Sequence, residues 1–294
     1  MFLQLLANGL VTGSVIAIAA VGVSIVYGIL RLVNFAYGDF MAFGALAAYA
    51  FNGPLGVPLV PATLIGMALT AALSVVADVV LWRPLRARRA GFMSLFLASI
   101  GLALVLRQSL LFGYGPQPEQ YRVDPYRVYV LGSVRLSEAQ FVSIIAAVGV
   151  ILALGVFLSR TSLGRTMRAL ADDRELTAIA GINVGRVIAF TWILSGALAG
   201  VAGVLAGLVQ TTFDPNFGFT LLLPIFAAVV LGGIGSAYGA LAGGLLLGIA
   251  MELSTWPSLF GGVNPVYKPV VAFVVLAAAL MVRPQGLFGR ARVV

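Results

Sequence analysis

The sequence predicts an all-α fold, a polytopic transmembrane helical bundle with about eight or nine membrane segments, some broken or re-entrant. Three observations predict it. Only 10% of the 294 residues are charged, where a soluble domain carries roughly 25%. Mean hydropathy is +1.07. Apolar runs of about 20 residues recur along the chain, each long enough to cross the roughly 30 Å hydrocarbon core as a helix.

Taken in order, apolar segments are expected near 5–30, 36–51, 57–82, 92–113, 138–159, 187–208, 219–235, 237–256 and 269–283. Those at 36–51, 219–235 and 269–283 are short for a full crossing, so tilted, broken or re-entrant helices are expected there. The opening MFLQLLANGLV lacks the basic region and small-residue cleavage site of a secretory signal and reads as the start of a retained span. Residues 114–137, rich in Pro and Tyr, are expected to form a partly ordered outer loop. Residues 1–294 therefore read as one transmembrane domain, with 160–186 a polar loop within it.

Basic residues in short loops mark the cytoplasmic side of a membrane protein. The loop RPLRARRAG (83–91) has four arginines and no acid, segment 160–186 has five arginines and three acids, and the tail 283–294 has three arginines. Nine crossings with an outer amino terminus place these and Arg31 inside, 13 of the 18 basic residues. Arg122, Arg127, Arg135 and Lys268 then lie outside and Arg107 within a span. A re-entrant 36–51 changes only the side of the amino terminus. This spread of the +8 net charge fits contact with anionic membrane lipids and not nucleic acid.

Several chemistries are excluded. Without cysteine there are no disulfides or thiolate ligands, and without histidine the commonest metal ligand is missing, so no metal site is expected. Serine hydrolysis needs a base, and the only lysine, Lys268, is in an apparent outer loop. That lysine is not preceded by Walker A spacing, so nucleotide chemistry does not lie in this chain and no cofactor is expected in it.

Segment 160–186 stands out. Residues 165–180 read as one short helix of about 24 Å, started near Thr161 and Ser162 and stopped at Gly181. Met167, Leu170, Ala171, Arg174 and Ala178 follow helical spacing, and Asp172 lies four residues after Arg168. Such a helix can rest on lipid or form a socket for a partner. The mixture of Arg165, Arg168, Asp172, Asp173 and Glu175 favours a protein partner, since lipid alone favours bases.

Other candidates lie inside the bundle. In RLVNFAYGDF (31–40), Asn34, Tyr37, Gly38 and Asp39 sit between two apolar segments. Irregular backbone there would be buried or line a path, and a helix N-terminus could receive a substrate carboxylate. Gly235, in a glycine-rich break, joins them as a pathway candidate. Gly196, Gly200, Gly203 and Gly207 form a small-residue stripe suited to close helix packing. Asp78 reads as a paired anchor near the inner surface. Arg107 and Glu252, both toward the outer ends of their spans, are expected to form a structural ion pair.

The motif RALADDxExxAIxGIN (168–183), the runs SGALAGVAGVLAG (195–207) and GGIGSAYGALAGG (232–244), and the tail YKPVVAFVVLAAALMVRPQGLFG (267–289) resemble bacterial ABC-importer permeases of the branched-chain amino acid type, LivH and LivM. So does GLVTGSVIAIAAVGVSIVYGILRLVNFAYGDFMAFGA (9–45), which is closer to LivH. One departure is Tyr37-Gly38-Asp39, where that family would carry His-Gly-Glu: an acid is kept and the imidazole is not. The resemblance implies a permease in a bacterial or archaeal cytoplasmic membrane, paired with a second permease (LivM-like, or a copy of itself). It also implies two cytoplasmic ATPase subunits, which use ATP and Mg and dock on segment 160–186, and an extracytoplasmic binding protein. Branched-chain or related amino acids are the implied substrates, with urea or short amides as the alternative. An ion-coupled secondary transporter is a third reading, weakened because the charges assigned to spans all fall toward span ends.

Overall fold

In lipid, hydrophobic burial does not drive helices together, so a membrane bundle is held by close backbone packing and a few internal polar bonds. The computed structural model, which describes residues 2–123, 128–131, 134–257, 262–283 and 285–288, has this character. The sequence assignments for Arg127, Arg290 and Arg292 fall outside the described residues.

The chain runs through α1 (Phe2–Leu30), α2 (Tyr37–Asn52) and α3 (Leu59–Ala77), which continues through a π-helical turn (Asp78–Trp82) into α4 (Arg83–Ala87). Then come α5 (Phe92–Tyr114), β1 (Val128–Leu131), β2 (Val134–Ser137), α6 (Glu138–Arg160), α7 (Ser162–Asp172) and α8 (Arg174–Ile179). The chain ends with α9 (Val184–Gln210), α10 (Phe217–Gly232), α11 (Ala237–Leu253) and α12 (Lys268–Val282). Among the described residues six helical stretches are long and apolar enough to cross a membrane: Phe2–Leu30, Leu59–Ala87, Phe92–Tyr114, Glu138–Arg160, Val184–Gln210 and Pro265–Val282. Helices α2, α10 and α11 are shorter. The expected short segment at 269–283 thus gains length from the turn before it, and 237–256 loses it. The outer loop is ordered in part as an antiparallel β1–β2 pair, with Leu131 opposite Val134.

Glycine decides which helices are central. On α1, a Cβ at Gly9 would stand 2.8 Å from the Ile249 Cα, and one at Gly13 would stand 3.0 Å from the Leu245 Cα. Rising numbers on α1 meet falling numbers on α11, so the two pack antiparallel along most of their length. Half of the expected stripe on α9 does the same work against α3: a Cβ at Gly200 would lie 2.9 Å from the Met67 Cα, and one at Gly196 2.8 Å from the Thr70 carbonyl oxygen, while Gly203 meets Met41 of α2 and Gly207 the rings of Phe213 and Tyr121. Helices α1 and α9 are therefore buried almost all round, while α3, α5, α6 and α12 keep large uncovered faces.

This packing gathers Arg31, the 83–91 turn, segment 160–186 and Arg283 at one end of the bundle, called here the basic end. Just inside it, Asp78 pairs with Arg86 at 2.6 Å across the π turn. The wider turn also brings Trp82 against Trp192, with ring centroids 6.1 Å apart and planes 5° from parallel. Ser74 donates to the Trp192 carbonyl at 2.6 Å, tying α3 to α9 beside that stack.

Contact this close leaves no room for a side chain. Gly248→Val, whose new methyls would meet the backbone of Gly13, is expected to lower the stability of the purified chain by about 1–3 kcal/mol. Gly101→Val on α5, where a Cβ meets nothing within 4 Å, is expected to leave it unchanged. Thermal melting in detergent measures both.

Candidate functional site

Two regions concentrate polar groups: the turn between α1 and α2, and the segment joining α6 to α9. In the first, α1 ends because Arg31 adopts a left-handed conformation at φ 52°, rare for a residue with a Cβ. The chain then turns inward. Leu32, Asn34, Ala36 and Tyr37 are all buried, so this is not a surface turn. Asn34 Oδ1 accepts from the Ala36 amide at 3.1 Å, shaping the turn, while its side-chain nitrogen is buried without a partner.

Helix α2 consequently starts inside the bundle. The Tyr37 hydroxyl donates to the Ser195 carbonyl at 3.3 Å, and the Ser195 hydroxyl donates to the Gly22 carbonyl at 3.0 Å. These bonds join α2, α9 and α1 at residues well away from the ends of α1 and α9. Gly38 lies against Gly218 in the first turn of α10, where a Cβ on Gly38 would stand 2.7 Å from the Gly218 carbonyl carbon. The N-termini of two short helices therefore meet in the interior. The first turn of α2 already holds a carboxylate of its own, Asp39, only 1% exposed.

Asp39 is clasped by Arg107 of α5. Nε donates to Oδ1 at 3.0 Å and Nη2 to Oδ2 at 3.2 Å, the two-pronged geometry that suits guanidinium to carboxylate. The guanidinium carbon lies 4.2 Å from the centre of the Phe219 ring, adding a cation–π contact. The expected Arg107–Glu252 pair is therefore wrong on both sides: Glu252 instead pairs with Lys268 at 2.6 Å and accepts from Thr12 at 3.2 Å. The physical reason is which helices are neighbours: α5 packs on α2, while α11 packs on α1, α10 and α12, so Arg107 meets the buried start of α2 and not the end of α11. One leg of the case against ion coupling also falls, since Asp39 is a carboxylate in the interior and not at a span end. Gly235 stands apart from this group, at φ 87° against the backbone of Gly28.

In the second region the single helix expected over 165–180 is two helices. Asp173 is extended at φ −149° and ψ 114°, and its Oδ1 accepts from the Glu175 and Leu176 amides at 2.9 and 3.0 Å. The carboxylate caps a new helix more favourably than it continues the old one. Thr161 caps α7 in the same way, accepting from the Gly164 amide at 3.0 Å. Gly181 does end the segment. At φ 80° it lets its own amide bond Ala178 at 3.1 Å and that of Ile182 bond Thr177 at 3.4 Å, the paired closure typical of helix C-termini.

The break changes which faces are presented. Met167 and Leu170 of α7 and Thr177 of α8 are buried, seating both helices on the bundle. Arg165, Arg168, Asp172, Asp173 and Glu175 are exposed. So are Leu176 (66%) and Ile179 (82%), two apolar side chains one turn apart on α8. Sequence reading missed them because it carried one helical wheel through Asp173. The signal lay in Asp172-Asp173, where the second acid is a cap.

Breaking the interior pair from one side leaves a buried charge without a counter-charge. Arg107→Leu is expected to cost about 3–5 kcal/mol of stability, and Arg107→Leu with Asp39→Leu to recover most of it. Denaturant titration of the purified chain distinguishes these outcomes.

Comparison with known proteins agrees with this architecture. A family model described as the branched-chain amino acid transport system permease component matches residues 5–280. The chain is 35% identical to the high-affinity branched-chain amino acid transport system permease protein BraD of Pseudomonas aeruginosa, covering 99% of this chain and 97% of that one. It is 33% identical to the corresponding LivH of Salmonella typhimurium, with the same coverage. Among solved structures, PsaBC from Streptococcus pneumoniae in complex with Fab is similar in fold, with a TM-score of 0.51 and 16% identity over 98% of this chain and 94% of that chain.

Proposed function

This chain belongs to the family of branched-chain amino acid transport permeases, and on that premise we propose that it is a transmembrane subunit of an ABC importer for branched-chain or related amino acids. It pairs with a second permease, LivM-like or a copy of itself, in a cytoplasmic membrane. It receives substrate from an extracytoplasmic binding protein. Two ATPase subunits dock on α7 and α8 at the basic end, and their ATP cycle biases an alternating-access equilibrium.

The observation that carries this reading is the surface of segment 160–186. Leu176 and Ile179 are exposed apolar side chains in a segment whose arginines and acids are exposed as well. A helix resting on lipid would turn apolar residues and bases toward the membrane, without acids among them. An apolar pair exposed on a segment that carries both signs of charge suits a protein groove. The Walker lysine that this chain lacks would then belong to the docked partner.

One observation favours a second reading. A carboxylate in the bundle interior, Asp39, is what an ion-coupled transporter needs. Uptake driven by a proton or sodium gradient in vesicles free of nucleotide would support it, and a strict need for ATP would exclude it.

Two results are expected if the importer reading holds. Leu176→Asp with Ile179→Asp reduces copurification of the ATPase at least tenfold, roughly the effect of placing two charges in an apolar contact, without changing the melting temperature of the chain. Gly181→Pro, which can neither reach a positive φ nor donate the amide bond to Ala178, uncouples ATP hydrolysis from uptake while the protein still inserts. Unchanged copurification in the first variant, or normal coupled uptake in the second, contradicts the assignment.

A further inference from the structure

The Glu252–Lys268 pair lines a cavity of about 520 Å³ at the end of the bundle opposite the basic loops, within the roughly 300–1,000 Å³ range of small-molecule sites. It is lined by the start of α1, the ends of α9 and α11, the start of α12, the first half of α10 and Gln140 of α6. By the distribution of basic residues this is the outer side.

The chemistry of its wall is specific. Lys268 and Thr12 both donate to Glu252 Oε1, and among the described residues none donates to Oε2 of this carboxylate, which is only 7% exposed. The ammonium of Lys268 has three donors, and one is used by Glu252. The rest of the wall mixes apolar Val11, Val15, Leu221 and Met251 with the uncharged polar side chains of Asn8, Gln140, Gln210 and Thr220. The cavity thus presents one negative acceptor, one positive donor and an apolar patch among neutral polar groups, with no net charge.

We propose that this cavity binds a zwitterionic apolar amino acid, with its ammonium on Glu252 Oε2, its carboxylate on Lys268 Nζ and its side chain against Val11, Val15 and Leu221. Two opposed pairs laid head to tail leave no uncompensated charge in a partly buried site. A purely anionic or cationic ligand would leave one. Urea and simple amides can hydrogen-bond to both groups but bring no charge of their own, so the site favours the zwitterion among the substrates that the sequence leaves open. This inference rests on the transport reading above and deepens it by naming the substrate class at a particular place. A phospholipid with an ammonium headgroup carries related chemistry and is distinguished in the test.

The test is equilibrium binding of radiolabelled L-leucine to the purified transporter complex in nanodiscs without binding protein. Competitors are leucinamide, which lacks the carboxylate, and 4-methylpentanoate, which lacks the ammonium. Wild-type complex is expected to prefer leucine over each by roughly 10-fold to 100-fold, the range for one charge-assisted hydrogen bond. Lys268→Met is expected to abolish the preference over leucinamide alone, and Glu252→Gln that over 4-methylpentanoate alone. A merely structural pair would weaken all three ligands together, which overturns the proposal. So does absence of leucine binding to wild type at roughly 10 mM, or displacement of leucine by phosphatidylethanolamine and by neither analogue. Should a single variant fail to fold, the wild-type preference still decides. Leucine uptake by the intact system separates the two claims: uptake without analogue preference removes only this site, and its absence removes the transport reading.

Discussion

The clasp of Arg107 on Asp39 is the interaction on which the arrangement of the interior depends. A buried carboxylate is costly unless a counter-charge and hydrogen bonds reach it, and here both come from one guanidinium. The clasp fastens α5, whose other faces are largely uncovered, to the buried start of α2. It also fixes the depth at which α2 begins, beside the first turn of α10 and the Phe219 ring. With α2 held there, Tyr37 meets Ser195 and Ser195 meets Gly22, so three helices share one short chain of bonds.

From that interior the structure continues to the basic end. Helix α9 carries Ser195 in its middle and Trp192 beside the π turn, and begins just after Gly181. Helix α7 is seated by Met167 and Leu170 against the bundle, so the exposed face of α8 stands on a packed base. A push on that face is therefore delivered to helices and not to a loose loop.

Much of this was legible in the sequence. Helix positions followed from runs of apolar residues bounded by Arg31, the 83–91 arginines and the polar segment 160–186, and their observed limits differ by a few residues. The glycine stripe on α9 announced a close contact, though not that α3 and α2 were its partners. What could not be read was pairing in space. Arg107 and Glu252 share a nominal depth, but α5 packs on α2 and α11 on α1, α10 and α12, which a sequence does not announce. The β1–β2 pair hid because its strands are four residues long within a loop rich in turn formers. The break at Asp173 was written in the sequence but outweighed by a helical period that fitted both sides of it. Hydropathy is weak in this setting for a plain reason: lipid-facing and core-facing residues are equally apolar, so the period that marks a buried face in water fades.

The account turns on α8 facing the cell interior and being covered by a nucleotide-hydrolysing partner. The chain has no cysteine, so Ile179→Cys supplies a single reactive thiol on that surface. The decisive measurement is its labelling by a membrane-impermeant maleimide in inside-out vesicles, stripped of the ATPase and then with it restored. The account predicts rapid labelling of stripped vesicles, protection on restoring the ATPase and no labelling of intact cells. Labelling from the outside of intact cells, or equal labelling with and without the ATPase, would contradict it.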